Sequence, residues 1–128
     1  EGSNPISMWI ALRDVPVERG CMTFIPGCHH RDELEMQNLR DDRSLFSKAE
    51  DMEYMERVTI PLRAGDCTFH HGRCPHMANA NTSEETRVAL AVIYMDKDTV
   101  YTGRGHAVTK DLELPEGKPF DHELFPEL

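Results

Sequence analysis

Short stretches of alternating apolar and polar residues, separated by turn-forming residues, constrain the fold of this chain more than any other feature. Residues 6–12 read ISMWIAL, so that Ser7, Trp9 and Ala11 share one face of an extended chain and the larger aliphatic residues share the other. Turn signals such as Pro26-Gly27 end these stretches sharply. The sequence therefore predicts an all-β sandwich or barrel. The other predicted strands are 21–25, 57–62, 67–71 and 86–95.

The length of 128 residues fits one domain, 1–128. Residues 31–55 are polar and charged without alternation, and we interpret them as a lid-like insertion with one or two short helices, the best candidate being 32–39. Residues 97–128 contain several glycines and prolines and predict an irregular tail. Because no apolar run approaches the roughly 20 residues that span a bilayer, we do not expect a membrane protein.

The charge and the cysteines bear on partners and location. Lysine and arginine number 14 and the acidic residues 23, which gives a formal net charge of -9 at pH 7. Since such a chain repels phosphate backbones, we expect no nucleic acid partner, whereas the charge does not exclude a small-molecule partner such as an anion held by one arginine. The four cysteines form no CxxC pair and are predicted to be reduced thiols, which is typical of a cytoplasmic protein.

The strand 86–95 has a bulky face and a face on which Arg87 lies in line with Ala89 and Ala91. The alanines leave space beside the guanidinium, which can bind a carboxylate through two hydrogen bonds. Arg87 is therefore a candidate anion-binding residue, although an arginine at a strand end can equally reach solvent or pair with Glu84 or Glu85. The bulky face is expected to pack as core and comprises Val88, Leu90, Val92 and Tyr94.

His76 precedes Arg87 by 11 residues, and a hairpin would place the two on neighbouring strands. An imidazole at a strand end is a common ligand for divalent metals, but a single histidine can also serve as a structural hydrogen-bonding group. In a strand, His70 and His71 point to opposite faces, so at most one of them can join His76. The spacing of the nearby cysteines and histidines matches no strong zinc pattern.

A second possible ligand pair is His30-Arg31-Asp32, because two histidines and one carboxylate form the facial triad of non-haem iron oxygenases. The pair shares a face only in a strand. Here Asp32 begins the acidic stretch Asp32-Glu33-Leu34-Glu35, so a loop or helix-cap role for His30 and Asp32 is favoured.

Two blocks of the sequence resemble the phytanoyl-CoA dioxygenase family. The first consists of MWIALRDV at 8–15 and GCMTFIPGCH at 20–29. The second consists of AGD at 64–66, HGRCPH at 71–76, Asn81 and Arg87. The blocks follow the family's order. Departures include Cys28, where the family has serine, and Arg13, where it usually has aspartate.

The resemblance implies a double-stranded β-helix, which is a cupin-like jelly roll, and a hydroxylase that depends on Fe(II) and 2-oxoglutarate. Carried over by position, His76 would be a metal ligand, and Arg87 would hold the far carboxylate of 2-oxoglutarate. Trp9 would line the cosubstrate pocket. No catalytic residue beyond these cofactor-binding groups is assigned.

The family's His-x-Asp ligand pair lies upstream of the strand that contains Trp9, and residues 1–7 contain neither histidine nor aspartate. The chain is therefore expected to be an incomplete jelly roll derived from an oxygenase and inactive by itself. Because an incomplete jelly roll exposes a sheet edge, we expect a homodimer or larger homo-oligomer.

Two alternatives stay open at this point. One is a metal-independent β-sandwich module that binds a small carboxylate near Arg87 and Trp9. The other is a rebuilt metal site that combines His76 with His30 and Asp32, or with His70 or His71.

Overall fold

The computed structural model describes residues 4–31, 33–34 and 44–128, and within them six strands form two three-stranded antiparallel sheets. The strands are β1 (Ile6–Ala11), β2 (Met22–Phe24), β3 (Val58–Ile60), β4 (Cys67–His71), β5 (His76–Ala78) and β6 (Ala89–Tyr94). Their order is β4-β1-β6 in one sheet and β3-β2-β5 in the other. Two facing antiparallel sheets with this interleaved order form a jelly roll, which confirms the all-β prediction.

The predicted hairpin between His76 and Arg87 is wrong. His76 begins β5, which pairs with β2, whereas Arg87 precedes β6, which pairs with β1 in the other sheet. The segment between them crosses from sheet to sheet and is held by backbone contacts with the loop before β2, including Asn79 N–H to Cys21 O (3.2 Å) and Thr82 N–H to Glu18 O (2.8 Å). These non-local hydrogen bonds replace the local hairpin pairing.

The register of β1 defines the inner face of its sheet. Ser7 lies opposite His70, and Trp9 lies opposite both Thr68 and Ala91. Directly opposed residues in antiparallel strands share a face, so these side chains point together toward the second sheet. Ala11 on the same face is fully buried.

The expectation that the bulky face of β6 packs as core is wrong for part of that face. Leu90 is 49% exposed and Val88 just before the strand is 37% exposed, and Phe69 on neighbouring β4 is 63% exposed. Leu90 lies opposite Ile10 in the register, on the side of the sheet turned away from β2. We call the residues Leu12, Phe69, Val88 and Leu90 the outer apolar face.

Among the described residues, two clusters of buried apolar side chains accompany the buried Met22 and Phe24 of β2. One contains Ala11, Val15 and Cys21, with Trp9 and Leu62 packed against it. The other joins residues that precede the predicted insertion, Ile25 and Cys28, to residues within it, Ala49 and Met52. The aliphatic side chains of this second cluster fix the position of residues 49–52 against the end of β2.

The predicted insertion and tail are mostly irregular where they are described. Residues 44–55 contain two short 3-10 turns, Leu45–Ser47 and Glu50–Tyr54. The predicted helix over 32–39 falls mostly outside the described residues. In the tail, an isolated bridge joins Val100 to Pro119. Among the described residues there is no helix with the length and apolar character needed to cross a bilayer.

Gly20 is a position where backbone conformation and packing both require glycine. Its φ is +77°, and a Cβ there would lie 2.5 Å from Asn79 O. We expect Gly20→Ala to lower the free energy of unfolding by more than the roughly 1–2 kcal/mol that a left-handed conformation alone costs an L-residue. The matched control is Gly27→Ala, since Gly27 has φ +82° but nothing within 4 Å of a built Cβ. Equal losses in urea denaturation would contradict this prediction.

The outer apolar face and the edge strands are the surfaces that the expected homodimer would cover. We expect sedimentation velocity to give a dimer for the chain and a monomer for Leu90→Lys, with the fold retained by circular dichroism. Val108→Lys serves as the control, because Val108 is similarly exposed (53%) but lies in the tail. A monomeric parent chain would contradict the expectation of self-association.

Candidate functional site

Three aromatic rings meet between the two sheets at the start of β5. The ring centroids of His70 and His76 are 4.7 Å apart, and that of Phe24 lies 5.1 Å from His70 and 5.8 Å from His76. His70 comes from β4 of one sheet, whereas Phe24 and His76 come from paired positions on β2 and β5 of the other. The sandwich therefore brings together two imidazoles that belong to different sheets.

A backbone hydrogen bond orients the His76 ring. Nδ1 of His76 lies 2.8 Å from Cys74 O, and because a carbonyl oxygen can only accept, Nδ1 carries the hydrogen. In the neutral ring, Nε2 then has the free lone pair. A carbonyl that fixes the tautomer of a histidine in this way is typical of metal-binding histidines. His76 is also solvent-accessible, so an incoming ion can reach it.

The inner face of β4 carries two buried polar atoms without a hydrogen-bond partner, Thr68 Oγ1 and His70 Nδ1. Burial lowers the pKa of His70 below its ordinary value, and the nearby His76 ring lowers it further. Unpaired buried polar atoms are unusual in proteins and often mark a place where a ligand or ion binds. The side chains of Thr68 and His70, two residues apart on one strand, therefore form a polar surface facing His76.

Arg87 is half-buried and donates a hydrogen bond from its guanidinium to Gly20 O. The alternative of pairing with Glu85 is not realised, since the Glu85 carboxylate pairs with Arg19. The remaining guanidinium N–H groups can donate to an anion, as a carboxylate clamp requires. Asn79 and Asn81 line the same shallow depression as Arg87.

His76, Arg87 and Trp9 occupy different parts of the two sheets. His76 is paired with Phe24 on β2, whereas Arg87 binds the carbonyl oxygen of Gly20 in the loop before β2. On the facing sheet, Trp9 lies midway between Ser7 and Ala11. Trp9 itself packs against the cluster of Ala11, Val15 and Cys21. No direct contact joins His76 to Arg87 among the interactions of the described residues.

The remaining candidate histidines are grouped elsewhere. His29 lies 3.8 Å from His30 and 5.5 Å from His71, measured between ring centroids. Burial and the two neighbouring imidazoles lower the pKa of His29. Asp32 lies outside the described residues, so the predicted His30-x-Asp32 pair is not described. Within the described parts of the chain, no three His, Cys, Asp or Glu side chains converge as a metal site.

Sequence reasoning missed Thr68, Phe24 and the Cys74 carbonyl as parts of this region. The alternation of 67–71 does place Thr68 and His70 on one face, and this is a usable signal. The register that sets them opposite Trp9 and Ser7 is non-local, and so is the approach of Phe24 from the second sheet.

The sequence is similar to a family of known proteins and to individual members of it. The sequence profile of the family described as phytanoyl-CoA dioxygenase (PhyH) matches residues 2–89. A phytanoyl-CoA dioxygenase domain-containing protein 1 from Danio rerio is 26% identical over 116 residues, covering 86% of this chain and 40% of that protein. The corresponding protein from Mus musculus is 29% identical over 115 residues, again covering 86% and 40%.

Two solved structures share the fold at higher identity. The non-haem α-ketoglutarate-dependent carbocyclase SnoK from nogalamycin biosynthesis is 44% identical with a TM-score of 0.84, covering 98% of this chain and 50% of SnoK. The epimerase SnoN, crystallised with Fe3+, α-ketoglutarate and nogalamycin RO, is 41% identical with a TM-score of 0.80, covering 96% of this chain and 50% of SnoN.

This chain therefore spans half or less of the length of the proteins that it matches. The profile nevertheless extends over more than half of the chain. It includes β1 to β5 in full and ends at Ala89, the first residue of β6. The chain belongs to the phytanoyl-CoA dioxygenase family.

Proposed function

We propose that this chain is part of the catalytic domain of an Fe(II)- and 2-oxoglutarate-dependent oxygenase that acts on a C–H bond of a small molecule. The observation that carries the proposal is His76, whose Nδ1 is tied to Cys74 O and whose Nε2 is left free beside buried, unpaired polar atoms. Family membership and the two α-ketoglutarate-dependent structural neighbours support the same class.

The residues present fit this cofactor set in part. His76 offers one neutral imidazole, which suits iron, and Arg87 offers guanidinium donors for the distal carboxylate of 2-oxoglutarate. Since the described residues contain no converging group of three ligands, the remaining iron ligands would come from residues outside them. One imidazole competes poorly with water for a metal ion, so we propose that this stretch has little or no oxygenase activity by itself.

The chain's own side chains would position the reactants. When bound, iron and 2-oxoglutarate supply an oxidant as 2-oxoglutarate loses carbon dioxide. Arg87, held by Gly20 O, would fix the far carboxylate, and Trp9 would form an apolar wall that excludes water along the cosubstrate. His70 and Thr68 would present hydrogen-bonding atoms at the His76 end.

The neighbours also suggest the range of outcomes for the substrate. One is a carbocyclase and the other an epimerase, so removal of a hydrogen atom from carbon need not end in hydroxylation. We propose that the substrate is a small organic molecule and that its product is hydroxylated, cyclised or epimerised. Mass spectrometry separates these by a gain of one oxygen atom, a loss of two hydrogen atoms or an unchanged mass.

The experiment compares succinate release from 2-oxoglutarate, with Fe(II) and ascorbate, by this chain and by the protein expressed from its complete reading frame. We expect negligible turnover by the chain and measurable turnover by the complete protein, with a loss of at least about 100-fold in His76→Ala. His122→Ala in the tail is the control. Robust turnover by the chain would refute the missing-ligand argument, and an inactive complete protein would refute the oxygenase assignment.

A second candidate is metal-independent binding of a small carboxylate, which the lack of three converging ligands in the described residues favours. Isothermal titration calorimetry of the protein expressed from its complete reading frame with 2-oxoglutarate separates the two. The oxygenase proposal expects binding to strengthen when Co(II) is present and to weaken at least tenfold in Arg87→Lys, because lysine cannot form the two-point contact. Metal-independent binding that survives His76→Ala would favour the carboxylate-binding module.

A further inference from the structure

We propose that His70 and His76 together bind one divalent transition-metal ion, with His70 as a ligand that the family resemblance does not assign. The proposal deepens the proposed function, since it shares His76 as the metal ligand. It can be tested without any oxygenase activity.

The spacing of the two rings suits a shared ion. A metal–nitrogen bond of about 2.1 Å places the metal roughly 3 Å from the centre of an imidazole ring. Two imidazoles at a right angle around one ion therefore have centroids about 4.5 Å apart, by the same bond length. The centroids of His70 and His76 are 4.7 Å apart, and the planes are tilted by 58°, which is far from a parallel stack.

Each ring has a nitrogen available for the ion. His76 Nδ1 donates to Cys74 O, so Nε2 is its open nitrogen. His70 Nδ1 is buried and makes no hydrogen bond. An unpaired nitrogen in a buried position has lost its hydration without gaining a hydrogen bond, and coordination to an ion would supply the missing partner.

The rest of the pocket fits a partly open coordination sphere. Two imidazoles leave positions for water or a carboxylate on the ion, and Thr68 Oγ1, buried and unpaired on the same face of β4, can hydrogen-bond to such a group. Phe24 lies within 6 Å of both rings and shields one side from solvent. Imidazole pairs of this kind suit zinc, copper, nickel and iron.

The test is a Zn(II) titration of the whole chain, followed by calorimetry and by NMR of the histidine ring nitrogens. We expect Nε2 of His76 and Nδ1 of His70 to shift together and to saturate at one ion per chain. His70→Phe and His76→Phe should each weaken binding at least tenfold, and the double variant should be little worse than either single variant.

The matched control is His71→Gln, which alters the neighbouring residue on β4 and the separate group of His29, His30 and His71. Zinc binding at the proposed site should be unchanged in this variant. If His70→Phe fails to give a folded backbone spectrum, His70→Asn replaces it.

Two outcomes would overturn the proposal: zinc binding in a folded His70 variant as tight as in the parent chain, or zinc shifts confined to His29, His30 and His71. The zinc titration does not depend on enzyme turnover, so a negative succinate assay does not contradict the metal site. A negative zinc titration likewise does not contradict the oxygenase proposal, which the succinate assay tests. The two proposals can thus fail independently.

Discussion

A strand paired on both sides must place alternate residues on opposite faces, and β1 is in this position between β4 and β6. Its register sets Ser7 against His70 and Trp9 against Thr68 and Ala91, and so determines which side chains enter the space between the sheets. A slip of one residue would turn His70 and Trp9 outward and would bring Phe69 and Met8 into the interior. The candidate site, the buried Ala11 and the outer apolar face all depend on this pairing.

The same interior contains features that are unfavourable for stability in the free chain. Thr68 Oγ1 and His70 Nδ1 are buried without partners, and the guanidinium of Arg87 is half-buried against a single backbone carbonyl. Aliphatic side chains in these positions would pack with lower loss of hydration. Polar groups buried at such a cost are typical of surfaces that bind an ion or a small polar ligand.

The chain covers half or less of the length of its relatives, and the sheets of the described residues have fewer strands than a full jelly roll. An eight-stranded jelly roll has two sheets of four, and the described residues supply three strands to each. Within those residues, β3, β4, β5 and β6 are edge strands, and the sheet containing β4 and β6 also carries exposed Phe69 and Leu90. Strands of a longer protein or a second copy of this chain could pair with these edges and cover the apolar surface. Either would do, because any extended strand can hydrogen-bond to the unpaired backbone groups of an edge.

Much of the fold followed from local pattern. Alternation predicted five strands close to their observed positions, and β4 is correct at both ends. This works because the apolar and polar faces of a strand appear as alternating residue types along the sequence. Residue chemistry and the resemblance selected Trp9, His76 and Arg87, and the opposite facing of His70 and His71 followed from strand geometry alone. These properties need only the near neighbours of each residue.

The tertiary structure decided what local pattern leaves open. The sequence suggested a hairpin for His76 and Arg87, but cross-sheet contacts such as Asn79 to Cys21 assign them to different sheets. Likewise, the bulk of Val88 and Leu90 predicted a buried face, but both side chains are exposed. Burial of a sheet face depends on whether another element packs over it. That His70, and not His71, meets His76 required the packing of two sheets, because sheet pairing and packing are set by interactions between residues far apart in the chain.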